Sequence, residues 1–211
     1  VNASLRLPRV QYGVYDGDGL LMFANGDSYK GSFRAGAPHG QGLFRSQSSS
    51  ITVYDGEWVE GVRSGLGSCK FSNGTRYEGS FVAGVPNGSG SYQFADGSTY
   101  DGGVLNDEFH GHGTYRDLNN VTYTGEFRDG KRHGKGKLIN ADGTKYDGDF
   151  ESDELAGSGE FTFPNGDSYV GQFQAGKMHG IGVFKSLEKG IRLEGEFDQG
   201  KCVRRIAVTK L

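Results

Sequence analysis

The histidines are the first residues in this chain that could do chemistry, since imidazole ligates metals and moves protons near neutral pH. Four of the five, His39, His110, His133 and His179, each precede a Gly-x-Gly run and fall at one position of a 23-residue period. Two ligands of one zinc must both come within about 2.0 to 2.1 Å of it. Successive copies of a two-stranded repeat stand roughly 10 Å apart, so the row holds no metal within one chain. His110 and His112, two residues apart, or a two-fold contact between chains are the arrangements left for a metal. The expectation is no metal and no other cofactor, each histidine being a turn residue that packs locally.

A catalytic triad or carboxylate dyad needs unlike residues at unique positions, whereas this chain repeats the same residues at every step. No enzyme is expected. The many Gly-x-Gly pairs lack the strand before and the helix after that a phosphate loop requires. A net charge of −3 is the wrong sign for nucleic acid, which selects a basic stripe. Local charge is more informative. Arg128, Lys131, Arg132, Lys135 and Lys137 form one cationic cluster, and Lys201, Arg204, Arg205 and Lys210 another. Such clusters attract anionic lipid at about 1 kcal/mol per charge near a membrane surface. Asp147, Asp149, Glu151, Asp153 and Glu154 answer the first cluster, and Glu194, Glu196 and Asp198 the second, which favours a solvated, charge-striped face.

The elements that carry these residues follow from the stretch Tyr123 to Lys145. Aromatics at its positions 1 and 5 and Gly at position 3 share one face of a strand, because strand side chains alternate; Thr124 and Glu126 take the other face. Gly at positions 8, 12 and 14 (Gly130, Gly134, Gly136) permits positive φ, which predicts the chain reversal there. Asp142-Gly143 predicts a tight primed turn into the next strand. The unit is a β-hairpin. Copies start at Arg6, Tyr29, Tyr54, Tyr77, Tyr100, Tyr123, Tyr146, Tyr169 and Leu193, with two extra residues in the second copy and one in the eighth. Positions 12 and 14 are Gly in every copy that reaches them. A fixed period of this length marks a stacked array.

The 38 glycines among 211 residues are well over twice the usual share of roughly 7%, but periodic, which argues for order. Apolar residues reach only 34% while aromatics reach 12%, so burial must come from rings. Tyr29, Phe33, Trp58, Tyr77, Phe81, Tyr100, Tyr123, Phe127, Tyr146, Phe150, Tyr169 and Phe173 share one face and are expected to line an aromatic, glycine-floored groove open to partner proteins. Rings from a neighbouring strand would lie over the glycines at positions 3 and 14 and shield their backbone, a use of Gly known from designed sheets. The expected fold is all-β: one elongated single-layer antiparallel ribbon of eight to nine hairpins, about 80 to 90 Å long at two strands per repeat. No apolar run approaches the roughly 18 residues that cross a bilayer as a helix. Cys69 and Cys202 lie nearly six repeats apart, too far for an intrachain bridge in a rod, which fits a reducing compartment.

The pattern Tyr-x-Gly-x-Phe-x-x-Gly-x-x-His-Gly-x-Gly, nearly intact at Tyr29 to Gly42, Tyr123 to Gly136 and Tyr169 to Gly182, resembles the MORN repeat (membrane occupation and recognition nexus). The resemblance covers about residues 6 to 200 and is closest to repeat-only scaffold proteins of protozoan cytoskeletons. It implies a cytoplasmic, cytoskeleton-associated scaffold with protein partners, and, as the alternative, a module for phosphoinositide or anionic membrane. Departures are Asp107 and Asp153 at position 8, Gly103 and Val104 at positions 4 and 5 of the fifth copy, and Ser64, Asn87 and Ala156 in place of His. The first residue is Val1, and the expectation is a fragment of a longer array.

The last copy breaks the template. An open end of a stacked sheet exposes unpaired backbone groups unless capped or paired, and a two-fold contact uses one patch twice. Leu193, Phe197, Cys202, Val203, Ile206 and Val208 are therefore expected to form an antiparallel homodimer interface.

Overall fold

In the computed structural model of the chain, residues 15–211 are described; the predicted start of the degenerate first copy, Arg6, lies outside them. Among the described residues there is no helix, and seventeen strands follow one another. The chain divides into two units at Glu108/Phe109. The first holds β1 (Gly17–Met22), β2 (Ser28–Arg34), β3 (Ala37–Arg45), β4 (Ile51–Val59), β5 (Val62–Phe71), β6 (Arg76–Val82), β7 (Val85–Gln93) and β8 (Thr99–Leu105). The second holds β9 (Glu108–Arg116), whose first residue closes the first unit, then β10 (Thr122–Arg128), β11 (Lys131–Ile139), β12 (Lys145–Glu151), β13 (Glu154–Thr162), β14 (Ser168–Gln174), β15 (Lys177–Ser186), β16 (Ile191–Asp198) and β17 (Lys201–Lys210). Within each unit every strand pairs antiparallel with its sequence neighbours, so each is a single-layer meander of hairpins.

The predicted turns exchange roles. The reversal inside each hairpin sits at positions 7 and 8, where both residues have positive φ: Ala35 (48°) and Gly36 (72°), Asp129 (51°) and Gly130 (75°). That is the primed geometry whose twist matches the flanking strands. The connection through Asp142-Gly143 is looser. Asn140 N–H donates to Thr144 O (2.9 Å), Gly143 N–H donates to Asn140 O (3.0 Å), and only Gly143 has positive φ (88°), the pattern of a type I turn with a glycine bulge.

The glycines at positions 12 and 14 do not reverse the chain. Gly134 and Gly136 lie within β11, where Gly125 pairs with Gly136 but Glu126 pairs with His133, leaving Gly134 and Lys135 as a bulge. Gly134 has φ +60°, and a Cβ there would meet the Glu126 carboxylate at 2.6 Å. That carboxylate is not simply in solvent: Glu126 Oε1 accepts from Lys135 N–H (3.1 Å), as Glu57 does from Leu66 and Asp149 from Ser158.

The two copies with extra residues are held by buried carboxylates. Asp27 Oδ1 accepts from Gln47 N–H (3.2 Å), and Asp167 Oδ1 from Leu187 N–H (2.7 Å). Where the following copy has no inserted residue, Thr52, Thr75, Ser98, Val121 or Thr144 stands at the same position.

Candidate functional site

The ring face is built from a contact inside each repeat. The position 1 tyrosine folds back across two glycines, position 3 of its own strand and position 14 of the paired strand. A Cβ on Gly159 would lie 2.5 Å from Tyr146 Oη and 2.6 Å from its ring, and one on Gly148 would lie 2.6 Å from the same hydroxyl. The hydroxyl then donates to the carbonyl three residues on: Tyr146 to Asp149 O (2.9 Å), Tyr77 to Ser80 O (2.9 Å), Tyr123 to Glu126 O (2.8 Å). Burial pushes the phenols of Tyr29, Tyr77 and Tyr123 up to about 12.

Repeats join through ring edges. Tyr123 meets Phe127 of its own strand and Phe150 of the next hairpin, both at 5.0 Å and near-perpendicular; Tyr146 does the same with Phe150 and Phe173. Such T-shaped pairs contribute about 0.5 to 1.5 kcal/mol beyond area burial. In the first unit the series runs Phe33, Tyr29, Trp58, Tyr54, Phe81, Tyr77.

This arrangement corrects the expected groove. All twelve rings, Tyr29, Phe33, Trp58, Tyr77, Phe81, Tyr100, Tyr123, Phe127, Tyr146, Phe150, Tyr169 and Phe173, are buried, none more than 6% exposed. They are the core of a single layer, and a partner cannot reach their faces. The open relief lies on the opposite face, at positions 2, 13 and 15. In the first unit it forms two troughs of about 740 Å³ each, one over β1 to β4 around Lys30, Leu43 and Asp55, the other over β4 to β8 around Ser68, Glu78 and Asp101. Sequence reasoning assigned this face to solvent because alternation reports only which side a residue takes, not how the sheet curves.

The cationic cluster is largely spoken for. Lys135 Nζ lies 2.6 Å from Asp149, Lys137 Nζ 3.5 Å from Asp147, and Arg132 Nε 3.1 Å from Asp153. Arg132 also lies over the Tyr123 and Phe150 rings, at 5.8 and 5.4 Å. Arg128 and Lys131 are exposed. The Arg132 pair explains one departure from the repeat pattern: Asp153 takes position 8 at φ +74°, and its carboxylate and carbonyl are bound by Arg132 of the preceding copy. Asp107, at φ +69°, accepts from the Tyr92 hydroxyl at 2.6 Å.

The histidines do not converge. Among the described residues no group of three His, Cys, Asp or Glu could hold a metal ion. His110 and His112 are separated by the bulged Gly111 (φ +66°). His179 Nδ1 stands 3.4 Å from Asp198 Oδ1 but, like Nδ1 of His39 and His110, is buried without a hydrogen-bond partner. Cys69 and Cys202 are free thiols, and burial pushes Cys69 up to about 12.

At the C-terminal end the six predicted interface residues separate. Phe197 is buried against Tyr169 (4.8 Å) and belongs to the ring series. Leu193 is opposite Val208 and Cys202 opposite Phe197 in register. With Leu193 in place of Tyr, Cys202 Sγ stands over Gly195, 2.8 Å from where a Cβ would be. Val203, Ile206 and Val208 are 61%, 51% and 52% exposed, and register shifts in β17 fall beside Val203 and Ile206.

The MORN repeat pattern matches residues 29–51, 54–76, 77–99, 100–119, 123–145, 146–168 and 169–186, well over half the chain. No curated protein sequence matches. Among solved structures, the TCP domain of Drosophila melanogaster SAS-4 (dCPAP), in complex with a proline-rich motif of Ana2 (dSTIL), is 14% identical over 63% of this chain and 72% of that one, with a TM-score of 0.39. The TCP10 domain of Danio rerio CPAP, in complex with a STIL peptide, is 14% identical over 92% of this chain and 100% of that one, at 0.35. A Staphylococcus aureus virginiamycin B lyase is 9% identical over 97% and 73%, at 0.19. At such scores these likenesses carry no argument about function.

Proposed function

Because the chain belongs to the MORN repeat family, we propose that it is a non-catalytic scaffold, one that self-associates through its C-terminal end and presents its sheet to proteins of a cytoskeletal assembly in the cytoplasm. The observation that carries this reading is β17. It pairs with β16 and, within its unit, with no other described strand, and its Val203, Ile206 and Val208 are more than half exposed. An edge of that kind is managed in natural proteins by being covered, and a two-fold contact covers two edges at once. The recurrence of the same residues from copy to copy supports a non-catalytic role.

Light scattering on the wild type and on Ile206→Asp tests it. A dimeric mass that falls to the monomer in the variant is the expected result, and a monomeric wild type overturns self-association. The membrane alternative rests on cations of which three of five are already in ion pairs. Sedimentation with phosphoinositide vesicles, with Arg128 and Lys131 changed to Glu, measures what the remaining two contribute.

A further inference from the structure

The face opposite the rings differs between the two units in one respect. In the second unit two cation and carboxylate pairs cross it, Lys135 with Asp149 and Lys137 with Asp147. In the first unit the cross-strand row from β4 to β8 reads Asp55, Ser68, Glu78, Ser91, Asp101. All five are exposed, and no carboxylate of the row forms an ion pair among the described residues. Small serines lie between the carboxylates, and Ser91 Oγ donates to Asp101 Oδ2 (2.6 Å), which leaves Asp101 Oδ1 and the other two carboxylates facing the troughs. The next row toward the strand ends sets Lys70 directly opposite Arg76, again without an acidic partner. Like charges placed opposite one another are destabilising, so the sheet retains the Lys70 and Arg76 pair at a cost. Toward β1 the same face turns apolar: Leu20 and Leu43 flank Lys30, and Leu20 is about two-thirds exposed.

The carboxylates lie on alternate strands, roughly 9.6 Å apart at about 4.8 Å per strand. A polyproline II chain has three residues per turn and rises about 3.1 Å per residue, so every third side chain recurs at roughly 9.3 Å on one side. Its carbonyls make no internal hydrogen bonds, and Lys70, Arg76 and Gln93 line the trough as donors for them.

We propose that this face of the first unit binds an extended segment of another protein that crosses the strands with Lys or Arg at every third residue opposite Asp55, Glu78 and Asp101, and whose apolar end rests on Leu20 and Leu43. The proposal names a partner class within the scaffold reading. It concerns the opposite face and the other end of the sequence from the self-association contact, so either can fail alone.

The test is fluorescence anisotropy on the full chain with labelled synthetic peptides: a polyproline stretch carrying Lys at every third residue, with a leucine pair at either terminus, and a peptide of the same composition with its lysines contiguous. The period-three peptide binds at least tenfold more tightly than the contiguous one. The triple variant Asp55→Asn, Glu78→Gln, Asp101→Asn loses at least tenfold, while Glu160→Gln in the second unit changes nothing. Far-ultraviolet circular dichroism checks that the triple variant keeps its sheet. Failure of the period-three peptide to bind, equal binding of the contiguous peptide, or undiminished binding by a folded triple variant overturns the proposal. The dimer mass is untouched by any of these results.

Discussion

A tyrosine lying flat across two glycines has little tolerance for any added atom. Gly159→Ala drives a methyl into the buried Tyr146 ring at 2.5 to 2.6 Å, so a cost of about 3 kcal/mol is expected, at the top of the usual range for overpacking. Tyr146→Phe keeps the ring and loses the hydroxyl bonds to Asp149 O and Ala156 O, about 1 kcal/mol. Urea midpoints of the two variants give the order. The same burial sets a pH limit. The folded phenols of Tyr29, Tyr77 and Tyr123 titrate at about 12 against an ordinary value of 10.0. A raised folded pKa contributes stability that is intact below the unfolded value and lost as pH climbs through the folded one. The chain is therefore expected to lose stability between about pH 10 and 12, with tyrosinate absorbance rising together with loss of circular dichroism. Glycine beneath rings was legible in the sequence because two rows of one residue type on the ring face, at positions 3 and 14, admit few other uses. That the ring belongs to the same repeat was not, since position 1 could equally have reached the hairpin beside it.

Within the hairpin, Gly130 takes the reversal the sequence assigned it, while Gly134, Gly136 and Asp142-Gly143 have duties other than those expected. Asp142-Gly143 matches the dipeptide preferred in primed turns, yet the primed turns fall at position 7 and 8 pairs such as Ala35-Gly36 and Asp129-Gly130, where the first residue varies from copy to copy, Ala, Glu, Asp and Gln among them, and Gly at position 8 is the steadier mark. Position 4 was equally silent: Glu126 alternates away from the rings, and nothing in a period-two pattern says that a bulge will turn a backbone N–H toward its carboxylate. The irregular position 8 residues give a prediction at this scale. Asp153→Gly relieves a positive φ as it removes the Arg132 pair, so the two effects offset and stability changes by less than about 0.5 kcal/mol. Asp153→Ala keeps the unfavourable φ and loses the pair, so it is expected to destabilise by about 1 to 2 kcal/mol. Thermal unfolding of both variants separates the contributions.

Across each unit, no repeat has a core of its own, because position 1 tyrosines such as Tyr54, Tyr123 and Tyr146 complete their contacts with the position 5 ring of the next copy. Stability is then a sum of hairpin and interface contributions, and the ends should open first. Native-state hydrogen exchange is expected to find β17 less protected than β12 or β14, with Ile206→Asp widening the gap if the edge is covered by a second chain. The measurement that bears most directly on the account is the proton chemical shift of the Cα hydrogens of Gly148 and Gly159. With the Tyr146 ring lying on them, both should be displaced far upfield by the ring current and return toward ordinary glycine values in Tyr146→Leu. Ordinary shifts in the wild type would mean that the rings do not rest on glycine backbone, and the single-layer core described here would be wrong.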